Sequence, residues 1–160
     1  MRWGSIMLEY EEKIKKFLTE NSIKAEYIHF DKTVHTVEDA CRESGAKPDD
    51  FVKTICMVDS NGETIVALVL GSYRASTSRV AKALGIERPN VVTPEQAQEK
   101  TGYLVGGISP FGYKAIFLID PKVMEKEFVY VGGGAPSALV KISPKEVQRV
   151  NKGKITRVRK

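Results

Sequence analysis

The chain predicts an α+β fold built on a mixed β-sheet, and three observations carry that reading. FVKTICMV (51–58) and ETIVALVL (63–70) are β-branched, apolar runs on either side of Asn61-Gly62, the strongest short-range hairpin signal. The other strand-like runs also cluster instead of alternating one to one with long helices, which argues against a doubly wound sheet. Finally, 160 residues with 42% hydrophobic and 28% charged side chains suffice for one well-buried core.

Taken in order, residues 8–20 place Leu8, Ile14, Phe17 and Leu18 on one side at helical spacing, and Asn21 ends that amphipathic helix. MRWGSI (1–6) does not fit this periodicity and is set apart as an alternative start or an appended remnant, leaving 7–160 as one domain. AEYIHF (25–30) reads as a short strand, after which Thr36 has the chemistry to cap a helix running to about Ser44. Ser76 caps a further helix that stops at Gly85. Thr93-Pro94-Glu95-Gln96 and Ser143-Pro144-Lys145-Glu146 each combine a capping hydroxyl, proline at the first helical position and Gln or Glu at the third, so both start helices. Between them KAIFLI (114–119), FVYV (128–131) and ALVKI (138–142) are strand-like.

Composition narrows the function classes. No run of about 18 apolar residues is present and no secretory h-region opens the chain, so a soluble, cytoplasmic protein is expected. Cys41 and Cys56 are too few for a disulfide framework; Cys56 reads as core, Cys41 as core or partly exposed. With His29 and His35 as the only histidines and no CxxC or HxxxH spacing, neither a metal nor a cofactor is expected. The net charge of +5 is uneven: residues 141–160 hold eight basic side chains against Glu146, a local +7, so the rest of the chain carries −2. A cationic end on a near-neutral body fits a polyanionic partner, nucleic acid first, and equally fits a solvated tail.

The stretch GGISPFG (106–112) forbids both helix and regular strand and must be a shaped loop. Gly106 and Gly107 let a ligand approach the backbone, and Pro110 biases Ser109 toward extended geometry. Successive amides in such a loop can converge on an anion, or on an oxygen that becomes one during a reaction. Gly132-Gly133-Gly134 after FVYV can do the same, or serve as a flexible hairpin loop. Lys53 stands among apolar strand neighbours, where an ammonium either snorkels to the strand end or lines a cleft facing an anion. No Ser-His-Asp set can be assembled, and neither GxGxxG nor GxxxxGK[ST] is present, which speaks against a nucleotide binder.

In their order and spacing, FVKTI, ALVLGSYR, KALG, TGYLVGGISPFG, VYVGGG and ISPKEV resemble the YbaK/prolyl-tRNA-synthetase-associated domain family over roughly residues 8–158. The resemblance implies a mixed, partly barrel-like sheet flanked by helices, and a trans-editing activity that hydrolyses the ester of mischarged aminoacyl-tRNA. It places the family's lysine on Lys53 and its Gly-x-x-x-Pro loop on Gly106 to Pro110, giving Lys53 and Gly106 catalytic roles. Gly107, Ile108, Ser109, Pro110 and Gly132, Gly133 and Gly134 then bind substrate. Phe30, Thr36, Val52 and Ile108 form the pocket wall, with His35 at its rim. Arg149, Lys152, Lys154 and Arg157 would contact the tRNA, and an aminoacyl-tRNA synthetase is a further partner. Several members carry serine or histidine where this chain has Gly132, which removes a side-chain contribution and leaves room for a non-catalytic tRNA- or synthetase-binding module.

Overall fold

A computed structural model describes residues 2–34 and 36–160. The described chain forms α1 (Trp3–Glu20), β1 (Ala25–His29), α2 (Val37–Ser44), a 3₁₀ turn (Pro48–Asp50), β2 (Val52–Val58), β3 (Thr64–Leu70) and α3 (Thr77–Leu84). It continues through β4 (Asn90–Val91), α4 (Pro94–Thr101), β5 (Ile116–Ile119), α5 (Pro121–Met124), β6 (Val129–Gly132), β7 (Ala138–Ile142), α6 (Pro144–Asn151) and β8 (Lys154–Ile155).

Local chemistry sets the helix ends. Thr36 Oγ1 accepts from Asp39 N at 3.0 Å, and Ser76 Oγ accepts from Arg79 N at 3.1 Å. Thr93 and Gln96 close a full capping box at 3.2 and 3.0 Å. Each such cap is worth about 1 kcal/mol. At α6 the box is only half made. Ser143 Oγ accepts from Glu146 N, but the Glu146 carboxylate turns outward to accept from Lys24 N at 2.8 Å and from Arg149. α2, α3 and α4 stop at Gly45, Gly85 and Gly102, all in the left-handed region that favours glycine.

The strands divide into two sheets. β1, β7 and β6 form an antiparallel sheet in the order β1-β7-β6, with Ala25 opposite Ile142 and Val129 opposite the same residue. The other sheet has the order β4-β2-β3-β5-β8 and is mixed, since β3–β5 and β5–β8 are parallel while β2–β3 and β2–β4 are antiparallel. A single parallel bridge, Phe51 to Tyr130, joins the sheets at one corner, which gives the partial barrel character without closure. Ile14 and Leu18 of α1 share one core with Val131 and Val140 of the first sheet and Val66 and Leu68 of the second.

Three features differ from the expectation. Helix α1 begins at Trp3 rather than Leu8; Trp3 and Leu8 are both exposed, so the apolar periodicity could not mark its start. The two-residue strands β4 and β8 exist only through their partners and have no sequence signature of their own. Residues 154–160 are not a solvated tail. β8 pairs with β5, Val158 is fully buried, and Arg159 Nη1 donates to both carboxylate oxygens of the buried Asp120, at 2.9 and 3.1 Å. Among the described residues no helix is long and apolar enough to cross a membrane.

A buried carboxylate clasps the N-terminal helix to the first sheet. Glu11, 1% exposed, accepts from Tyr27 Oη at 2.7 Å, from His29 Nδ1 at 2.9 Å and from Ser137 Oγ. The Ser137 carbonyl in turn accepts from Phe30 N, and Pro136 O accepts from Val34 N, so the clasp also fixes the segment leading to α2. Burial alone would raise the Glu11 pKa, but hydrogen bonds from Ser137, Tyr27 and His29 outweigh it and hold the group below the usual carboxylate range. A folded-state pKa below the unfolded one means stability that is present above the unfolded value of 4.5 and lost as pH falls through the folded value. Glu11→Gln is therefore expected to lower Tm at pH 7 and to flatten its decline below about pH 4.5. A variant whose acid decline is as steep as the wild type's would contradict this, read by thermal melts from pH 7 to pH 2.

Candidate functional site

The two glycine-bearing loops pack back to back. Leu104 N donates to Gly134 O at 3.0 Å and Gly134 N donates to Gly107 O at 2.6 Å, so the loop after α4 is hydrogen-bonded to the loop after β6. Contact is so close that a Cβ on Gly107 would lie 2.2 Å from Ala135 O, and one on Gly132 would lie 2.3 Å from Ile108 O. Gly106 has φ 92°, a conformation that side chains disfavour. Ser109 and Pro110 are buried behind the loop: Ser109 Oγ donates to Phe111 O, Tyr113 Oη donates to Ser109 O at 2.7 Å, and Asn151 Nδ2 donates to Pro110 O at 2.9 Å. These bonds brace the front of the loop, Gly106 to Ile108, from behind.

That front faces a cavity of about 240 Å³ between the two sheets and α2. Of the residues expected to form a site, Lys53, Gly106, Ile108, Thr36, Val52 and Gly132 line it together. Sequence reasoning missed Val34, Val37, Ala40, Phe51, Thr54, Ile55, Val105, Tyr130, Val131 and Leu139, most of which are indistinguishable in sequence from ordinary core residues. Tyr130 stacks on Phe51 with ring centroids 5.1 Å apart and stiffens one wall.

Three polar features distinguish this cavity. Lys53 is half-buried and has no ion-pair partner among the described residues; burial, and then the charge of Arg74, push its pKa down. Among the described residues Thr54 Oγ1 is the buried side-chain polar atom left without a hydrogen-bond partner. Such an atom costs about 1–3 kcal/mol unless something arrives to bond it. The amides of Gly106 and Ile108 likewise find no acceptor among the described residues. The cavity is thus lined by a cation, by two residues with unspent backbone amides and by a threonine whose hydroxyl is buried in the wall. A threonine in the apolar run FVKTI was the one signal that could have announced Thr54.

Other expected residues lie elsewhere. The amides of Gly133 and Gly134 are spent on Ala138 O and Gly107 O, so this turn supports the neighbouring loop instead of presenting donors to a ligand. Phe30 lines a second cavity of about 410 Å³ with Glu11 and His29. That cavity is larger, but its buried carboxylate is already saturated with donors, whereas the polar atoms beside Lys53 are not. His35 lies outside the described residues. Arg149 is held by Glu146 at 2.6 Å, while Lys152, Lys154 and Arg157 are exposed on the segment around β8.

The model of the family described as the aminoacyl-tRNA editing domain matches residues 31–150. The chain is 33% identical over 82 residues to the proline–tRNA ligase of Nitratidesulfovibrio vulgaris (strain DP4), covering 51% of this chain and 14% of the ligase. It is 29% identical over 76 residues to the multifunctional Ser/Thr-tRNA deacylase ProXp-y of Escherichia coli (strain K12), covering 45% of this chain and 46% of that protein. The chain therefore spans less than half the length of these two relatives. In fold it is similar to the crystal structure of hypothetical protein APE2540, with TM-score 0.86 and 23% identity over 92% of this chain and 99% of that one.

Proposed function

The chain belongs to the aminoacyl-tRNA editing domain family, and from that premise we propose that its cavity hydrolyses the ester joining a small amino acid to the terminal ribose of tRNA. The observation that carries this reading is that a half-buried Lys53 and the amides of Gly106 and Ile108, all without partners among the described residues, belong to the lining of one small cavity. Water adds to the ester carbonyl, the acyl C–O bond breaks, and the proton released by water ends on the departing ribose hydroxyl. Negative charge grows on the carbonyl oxygen on the way. Preorganised amides and an ammonium in a low-dielectric site stabilise that charge; one such donor is typically worth about 2.7–4 kcal/mol of barrier. The proposed chemistry rests on polarisation by Lys53 and the loop amides and on a positioned water.

A cavity of about 240 Å³ suits the side chain of a small amino acid. The bare carbon at Gly132, which left room for a non-catalytic module, has a steric reason here: a side chain would strike the backbone of Gly107 and Ile108. The role of a synthetase in delivering the substrate is part of the same proposal. Deacylation of alanyl-, seryl-, threonyl- and cysteinyl-tRNA tests it: selective loss of one ester above the spontaneous rate is expected, and no accelerated loss from any of them would overturn it.

Thr54 gives a sharper prediction. Thr54→Val keeps the shape and removes the orphaned hydroxyl, so thermal stability should hold or rise slightly. If that hydroxyl bonds the substrate, the ratio of kcat/KM between seryl- and alanyl-tRNA should nonetheless shift by at least tenfold, because a site that hydrogen-bonds its substrate discriminates strongly. An unchanged ratio would remove Thr54 from the specificity site.

A further inference from the structure

The fold brings two distant stretches together into a face without acidic residues. Residues 72–86, running into and through α3, and residues 151–160, around β8, contain no Asp or Glu. They are tied side by side: Ser76 N donates to Val158 O at 2.7 Å, Lys160 N donates to Arg74 O at 2.8 Å, Lys154 Nζ reaches Ala83 O at 3.1 Å, and Ala75 bridges Arg159. Val80 and Val158 are both fully buried beneath the seam. Together the stretches carry Arg74, Arg79, Lys82, Lys152, Lys154, Arg157, Arg159 and Lys160, of which, among the described residues, Arg159 alone is neutralised, by Asp120. Glu87 lies just beyond, followed by Arg88, whose Nε donates to Thr77 Oγ1. Three of these eight cations are invisible in the C-terminal sequence, because Arg74, Arg79 and Lys82 join it only through folding.

The face also leads to the cavity. The turn that carries Arg74 begins at Gly71, whose N–H donates to the carbonyl of Phe51, a cavity residue two positions from Lys53. Seven cations without an acidic partner among the described residues suit a linear polyanion better than a small ligand, since each phosphate neutralised releases condensed counterions.

We propose that this acid-free face, from Arg74 along α3 and the C-terminal segment, is the surface on which the phosphate backbone of the tRNA acceptor limb lies when its esterified end enters the cavity. The proposal rests on the editing reading for the identity of the RNA. It replaces Arg149, which is held by Glu146, with Arg74, Arg79 and Lys82.

The test pairs two neutralised doubles, Arg79→Gln/Lys82→Gln on α3 and Lys152→Gln/Arg157→Gln on the C-terminal segment, with Lys15→Gln/Lys16→Gln on α1 as the control. Each is titrated with tRNA across salt concentrations and assayed on aminoacyl-tRNA and on an aminoacyl-adenosine that lacks phosphates. Each face double is expected to weaken tRNA binding about tenfold and to reduce the slope of log K against log salt by about 2, at about 0.9 per lost phosphate contact. Hydrolysis of aminoacyl-adenosine should be unchanged. Binding within twofold of wild type, or an equal loss in the control, overturns the proposal even if aminoacyl-adenosine is still hydrolysed. Face-dependent tRNA binding without any ester hydrolysis would instead sink the catalytic reading and leave the surface standing.

Discussion

Lys53→Ala is expected to lower kcat for deacylation by two to three orders of magnitude while leaving the fold intact. The side chain is half-buried and makes no ion pair among the described residues, so its removal breaks no ion pair and leaves room for water. Stability should therefore change little. The catalytic loss follows from the growth of charge on the ester oxygen: removing one donor of an oxyanion-type site costs about 2.7–4 kcal/mol, which is 10²- to 10³-fold. The pH profile gives an independent check. Burial, followed by the charge of Arg74, lowers the Lys53 pKa, so the cationic form is lost at a lower pH than for an ordinary lysine and catalysis should decline sooner on the alkaline side. Arg74→Gln removes a like charge and should move that decline to higher pH, measured on aminoacyl-adenosine to avoid the effect on RNA binding. A Lys53→Ala enzyme within threefold of wild type would refute the catalytic role outright.

The second large effect is expected at Gly107. A Cβ there would stand 2.2 Å from Ala135 O and 2.4 Å from Ala135 N, both backbone atoms that cannot rotate away. Gly107→Ala must therefore push the two glycine loops apart, at the cost of the Gly134 N to Gly107 O bond. Overpacking of this kind costs about 3 kcal/mol at the upper end, equivalent to a fall in Tm of about 6–12 °C for a chain of this size. Activity should fall further than stability requires, because the same displacement moves the amides of Gly106 and Ile108. Calorimetry with deacylation assayed well below the variant's Tm separates the two. Wild-type Tm and activity together would show that the loops are not coupled.

What could be read in the sequence was local. Thr36, Ser76, Thr93 and Ser143 announce helix starts because a cap needs only the next three residues, and all four cap as expected. Asn61-Gly62 marks the β2–β3 hairpin for the same reason, with Gly62 at φ 80°. Lys53 and the Gly106 loop stood out by being chemically wrong for their surroundings. What stayed hidden depends on distant partners. Glu11 looks like one more charge on an amphipathic helix, and only Tyr27, His29 and Ser137 make it a buried clasp. β8 is two residues long and is a strand because Leu118 and Ile119 pair with it. The Gly132 triplet reads as a ligand-facing turn, yet two of its amides are consumed internally.

The pairing of β1 with β7 sets an order of assembly. Ala25 and His29 near the start of the chain wait for Ile142 and Ala138, and Glu11 waits for Ser137. During synthesis the β2–β3 hairpin can close as soon as it emerges, but β1 has neither edge paired until β7 has been made. Loop closure of that length is slow, and an unpaired strand is exposed to wrong partners meanwhile. A nascent chain stalled before residue 138 would lack the whole of β7, including Leu139 of the cavity wall. A competent site thus exists only once β7 has been made, so a product truncated before it would be a candidate for aggregation and degradation and not for partial activity.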